Sequence, residues 1–83
     1  MKSDNLVGLL DYLAKNLVDF PEDVFVDQYE SGRTVHLELQ VSPDDIGRVI
    51  GKQGRVANAM RSLLRVVAAR NGVQVAMDVV DFG

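Results

Sequence analysis

Ile46-Gly47-Arg48-Val49-Ile50-Gly51-Lys52-Gln53-Gly54-Arg55 is the stretch on which the fold of this 83-residue chain turns. Ile46, Val49 and Ile50 fall at helical spacing and predict a short apolar stripe of about two turns. Gly51 can take the left-handed backbone that ends a helix, and Gly54 frees the chain again three residues later. A second helix is predicted from Arg55 to Asn71-Gly72, with Val56, Met60, Leu63, Leu64 and Val67 on one face. Two helices thus meet across a four-residue turn bracketed by glycines. Immediately upstream, Ser42-Pro43-Asp44-Asp45 is a helix start: Ser42 caps, Pro43 suits the first helical position, and the two aspartates favour the positive end of the dipole.

Outward from this centre the pattern changes period. Thr34 to Val41 alternates strictly, placing Val35, Leu37, Leu39 and Val41 on one face of a strand, and the β-branched and aromatic run Val24 to Tyr29 predicts its partner. Ser31-Gly32 supplies the turn between them, so the pair is expected as a hairpin with one buried and one wet face. At the N-terminus, Ser3 or Asp4 can cap a helix carrying Leu6, Leu9, Leu10, Leu13 and Leu17, which Pro21 and its neighbours end. Beyond Gly72, Val73 to Val79 alternates as a last strand. The predicted order is α-β-β-α-α-β, and residues 1–83 have room for one domain.

Composition narrows the function classes. With 47% hydrophobic and 6% aromatic residues the core must be aliphatic, and the absence of cysteine removes disulfides, thiolate metal sites and cysteine nucleophiles. The first residues lack the pattern of a signal peptide and no apolar run is long enough to span a membrane, which predicts a soluble, cytoplasmic protein. The net charge of −3 argues globally against a polyanionic partner, but the charge is segregated. Residues 1–45 hold ten acids and three bases, whereas residues 46–77 hold six bases and no acid: Arg48, Lys52, Arg55, Arg61, Arg65 and Arg70. Such a segment creates a local positive field within an acidic protein.

The four-residue turn joins this charge to a backbone suited to an anion. Arg55 opens the second helix, where unpaired N–H groups and the dipole favour a phosphate, and the glycines are expected to let a ligand backbone come close. Ile46, Val49 and Ile50, facing the second strand, would leave a shallow apolar groove for bases while phosphates meet the loop. Other glycine motifs fail: a Walker loop needs four residues between its glycines, and Val49 stands where a dinucleotide fingerprint would need glycine.

Ile46 to Arg55 resembles the GXXG signature of KH domains, and the element order resembles the type II arrangement. Leu13-Ala14-Lys15, Pro21-Glu22-Asp23 and Ala59-Met60-Arg61 are, with the signature, similar to the KhpA family of small bacterial single-KH proteins. The resemblance implies an α+β, type II KH-like fold with a three-stranded mixed sheet packed on one side by three helices. It further implies binding of single-stranded RNA by Ile46, Gly47, Arg48, Val49, Ile50, Gly51, Lys52, Gln53, Gly54, Arg55, Asn58 and Arg61, a homodimer, and pairing with a larger KH-containing protein of the KhpB type. No cofactor or metal is implied. Asn58 departs from the pattern, which has a basic residue there, and this puts one phosphate contact in question.

Plainer readings stand beside these. Gly51 and Gly54 alone would serve as a cap and a turn, and it is Lys52 and Arg55 that favour a ligand. Arg61, Arg65 and Arg70 also fit as solvated surface, and His36, on the wet strand face, has no second imidazole for a metal. Asp44 and Asp45 fit as caps and not as a catalytic dyad, since adjacent helical residues do not face each other. Met60 and Met77 read as core. Ala59, Val66 and Ala69 form a small-residue patch off the main stripe, either tolerated exposure or a two-fold contact. The leading functional reading is an RNA chaperone or post-transcriptional regulator; the alternative is an adaptor that keeps the scaffold and dimerises without RNA. No nucleophile-base pair or metal cluster supports an enzyme.

Overall fold

A computed structural model describes residues 2–81. Helix α1 spans Lys2–Lys15, strands β1 and β2 span Phe25–Ser31 and Thr34–Val41, helices α2 and α3 span Ile46–Ile50 and Arg55–Arg70, and strand β3 spans Gln74–Asp81. Single 3-10 turns occupy Pro21–Asp23, Pro43–Asp45 and Lys52–Gly54. The sheet order is β1-β2-β3, with β1 and β2 antiparallel and β2 and β3 parallel. A parallel pair needs a crossover, and α2 and α3 are that crossover. The expected α+β architecture with a mixed sheet is therefore the observed one.

The strict alternation of β2 does what its period predicts. Val35, Leu37, Leu39 and Val41 are buried beneath the helices, while Thr34, His36, Glu38 and Gln40 face the other way. His36 is half-buried on that outer face and stacks on Tyr29 across the β1–β2 pair, ring centroids 4.5 Å apart and 4° from parallel. Strand β1 departs from the hairpin expectation, because only Val26 is partly covered and Phe25 and Tyr29 are exposed. It is one of the sheet's two edge strands, and the burial expected of it is supplied one residue before its start, by Val24.

Two helical stripes differ from their predicted phase. In α1 the fully buried line is Leu6, Leu10 and Ala14, with Leu9 and Leu13 partly covered. The helix stops at Lys15, where the Asn16 backbone and side-chain N–H groups both donate to the Tyr12 carbonyl, so Leu17 lies beyond it and is exposed. Its start is also earlier than predicted, which places Ser3 and Asp4 inside the first turn and not at the cap. In α3 the buried line is Ala57, Met60, Leu64 and Ala68, and Leu63 is 50% exposed. The two alanines let α3 sit close to its neighbours, and Leu63, about 100° around the helix from Leu64, is thereby turned outward. Met60 and Met77 are both in the core.

Candidate nucleic-acid interface

Helix α2 is so short because Gly51 terminates it at φ 79°, ψ 171°, its N–H donating to the Gly47 carbonyl at 2.9 Å. The turn over Lys52–Gly54 closes with Gly54 N–H on the Gly51 carbonyl at 3.1 Å and Arg55 N–H on the Lys52 carbonyl. Gln53 (φ 58°) and Gly54 (φ 77°) are also left-handed, so three of the four loop residues have positive φ. Gln53 holds this conformation with a Cβ, which L-residues adopt at a cost.

The two glycines have different reasons to be glycine. A Cβ on Gly51 would lie 2.4 Å from Val56 Cγ2 and 2.7 Å from the Val56 backbone nitrogen. Its missing side chain is required by the packing of the loop onto the first turn of α3. A Cβ on Gly54 would meet only Asn58 Nδ2, at an ordinary 3.7 Å, so this glycine answers to backbone conformation alone.

Around the bend, Lys52, Gln53 and Arg55 are exposed, and among the described residues the side chains of Lys52 and Arg55 have no ion pair or hydrogen bond. Ile46 and Ile50 are half-buried and present apolar surface beside the loop, whereas Val49 is completely buried and belongs to the core. Gly47 and Arg48 are exposed on the same short helix. Helix α2 packs on α3 and β3. The spacing of these apolar residues predicts a place against the second strand, but the crossover carries α2 to the β3 side of the sheet.

The six bases do not form one uninterrupted face. Arg48 pairs with Asp19 at 2.8 Å and reaches Asp45 at 3.4 Å. Arg61 donates from Nε to the Met77 carbonyl at 3.1 Å and from Nη1 to Asn58 Oδ1 at 3.0 Å, which ties Asn58 and Arg61 to each other and to β3. Arg61 and Arg65 line a shallow cavity of about 220 Å³ between α3 and β3. Arg70 lies in the last turn of α3, far from the loop, where it complements the helix dipole. Lys52 and Arg55 remain as the cations freely presented at the bend.

Asp45 was missed as anything but a cap. It is fully buried, and its two carboxylate oxygens accept the backbone N–H groups of Asp19 and Phe20, each at 3.0 Å. It thereby clamps the segment after α1 to the start of α2. Ser42 does cap as predicted, accepting the Asp44 N–H at 3.3 Å. The signal for Asp45 was available in its spacing of three from Arg48, a pairing distance on a helix. Among the described residues no group of three acids or histidines could hold a metal ion, and no helix is long and apolar enough to cross a membrane.

A three-stranded mixed sheet covered on one face by helices, two of them joined by a glycine-bracketed bend, defines a KH domain of type II. Comparisons with known proteins agree: the sequence profile of the KhpA/KhpB KH domain matches residues 8–79, and the chain belongs to that family. The protein named RNA-binding protein KhpA of Halalkalibacterium halodurans is 45% identical over 73 residues, covering 88% of this chain and 96% of that one. Its namesake in Clostridium perfringens is 43% identical over 72 residues, covering 87% and 96%. Among solved structures, Aquifex aeolicus Era bound to GDP and aluminium fluoride superposes with a TM-score of 0.67 at 17% identity, over 92% of this chain and 29% of that one. A structure of Era with MgGDPNP and a 16S ribosomal RNA fragment matches equally well. At that identity the likeness to Era is one of fold.

Proposed function

We propose that this protein binds single-stranded RNA, with the Gly51–Gly54 bend clamping the sugar-phosphate backbone. The observation that carries the reading is the bend itself: left-handed backbone at the mouth of α3, exposed Lys52 and Gln53, and unpaired Arg55 at the first helical position. Phosphates meet this end while bases pack on Ile46 and Ile50, with Gly47 giving open access between them. Asn58 and Arg61 extend the track toward β3, and Val49 supports it from beneath. The relatives' printed name, RNA-binding protein KhpA, supports the same reading.

As one KH domain contacting about four nucleotides, the protein binds weakly alone and gains by multivalency. The outer face of α3 offers a route to that: Ala59, Leu63, Val66 and Ala69 recur at helical spacing, with Leu63 50% and Val66 54% exposed. A second copy, or a larger protein of the KhpB type, would cover this face, in a cytoplasmic RNA chaperone or post-transcriptional regulator. The same apolar face favours a second reading, an adaptor that pairs with protein and leaves RNA alone. The double variant K52D/Q53D separates the two. Fluorescence anisotropy with a labelled oligoribonucleotide should show binding by the wild type, abolished in the variant while the circular dichroism spectrum is kept; undiminished affinity would remove the loop from the mechanism, and a wild type that does not bind would favour the adaptor.

A further inference from the structure

We infer that Asp19 sets the RNA affinity of this protein by occupying the Arg48 guanidinium in competition with a nucleotide phosphate; the inference rests on the RNA-binding reading of the neighbouring loop. Arg48 stands three residues before Gly51, a rise of about 4.5 Å along α2. It is the cation nearest the bend in sequence on that side, yet it is not free. Its Nη2 lies 2.8 Å from Asp19 Oδ2, and its Nε makes a longer contact of 3.4 Å with Asp45 Oδ1.

The two acids differ in what they can release. Asp45 is 1% exposed at its side chain and holds two backbone N–H groups, so it is a fixed part of the fold. The Asp19 side chain is 61% exposed and its partner 54%, and among the described residues its carboxylate has no other partner. An exposed pair of this kind is held only weakly against solvent and salt. A carboxylate and a phosphate present the guanidinium fork with similar oxygen geometry, so the one can stand in for the other.

Space exists for the exchange. Gly47, the neighbour of Arg48 on α2, is exposed, and a Cβ built there would meet no atom within 4 Å, so no side chain crowds the helix surface at that position. The backbone N–H of Asp19, rather than its side chain, joins it to Asp45, so the carboxylate can leave Arg48 without undoing the clamp. Asp19 is thus a positioning residue that keeps a cation beside the track and lowers the net attraction until a strand arrives.

A double-mutant cycle on the full chain tests this, using anisotropy titrations of a short fluorescein-labelled oligouridylate across a salt series. D19N should tighten binding roughly two- to fivefold at low salt, the range expected from releasing an exposed ion pair. In the R48Q background the same D19N change should have almost no effect. Thermal melts should show D19N folded like the wild type. An equal gain with and without Arg48 would mean a general charge effect and overturn the inference, as would no gain at all. If the wild type itself fails to bind the oligouridylate, the RNA-binding reading falls and takes the inference with it; a binding wild type with an indifferent D19N sinks the inference alone.

Discussion

Replacing each loop glycine by alanine separates two requirements that the GXXG pattern merges. At Gly51 the backbone sits at φ 79°, ψ 171°, a region essentially confined to glycine, and forcing a side chain there costs about 1–3 kcal/mol. The new methyl would also overlap Val56, 2.7 Å from its backbone nitrogen, an atom that moves only if the first turn of α3 moves. Overpacking of this kind adds about 1–3 kcal/mol. The sum, roughly 2–6 kcal/mol, is a large part of the ~4–12 kcal/mol that a chain of this length commands at about 0.05–0.15 kcal/mol per residue. At Gly54 the conformation is ordinary left-handed helix and the nearest atom is 3.7 Å away, so G54A should cost about 1–2 kcal/mol. Urea denaturation followed by circular dichroism measures both. G51A should have the clearly lower midpoint at an unchanged slope; equal midpoints, or a lower one for G54A, would refute the assignment of Gly51 to packing.

Three further outcomes follow from the same geometry. D45A removes the acceptor for the Asp19 and Phe20 N–H groups, and leaving these unsatisfied should destabilise the fold by about 2–5 kcal/mol in urea titrations, whereas the exposed neighbour change D44A should cost about 1 kcal/mol or less. Q53G relieves a left-handed non-glycine residue and should raise stability or leave it level, within about 1 kcal/mol, in the same assay; a marked loss would mean the Gln53 side chain holds the bend. K52A and R55A should each weaken oligoribonucleotide binding and reduce the slope of log affinity against log salt by about 0.7, the increment for one phosphate contact on a single strand, with no change in thermal midpoint beyond the experimental scatter.

The elements were legible wherever one local rule acted without competition. The two-residue period of β2 put Val35, Leu37, Leu39 and Val41 inside, and Ser42-Pro43 placed the start of the second helical segment to the residue. Where two local rules overlapped, the sequence could not rank them. Leu63 and Leu64 are equally apolar, and what chooses between them is the presence of Ala57 and Ala68 on the Leu64 side, since small residues let a helix approach and large ones hold it off. A stripe scored by hydrophobicity alone gives most weight to the leucines, when close packing is set as much by the alanines between them.

The candidate site shows the same division more sharply, because charge patterning along a chain carries no information about long-range partners. Six bases without an intervening acid read as one positive surface, and the acceptors that engage two of them come from elsewhere: Asp19 lies twenty-nine positions before Arg48, and the Met77 carbonyl that engages Arg61 lies sixteen positions after it. Asp45 combines the two cases. Its place before a helix made a capping role sufficient and its spacing from Arg48 added only a surface pair, yet its burial demands hydrogen-bond partners that the first helical turn alone does not supply. The segment after α1 supplies them with two backbone N–H groups, and a backbone donor has no residue identity by which a sequence could announce it. The positions whose partners lie far off in the chain are therefore the ones hardest to read from motif spacing, while the bend, being local, is the easiest.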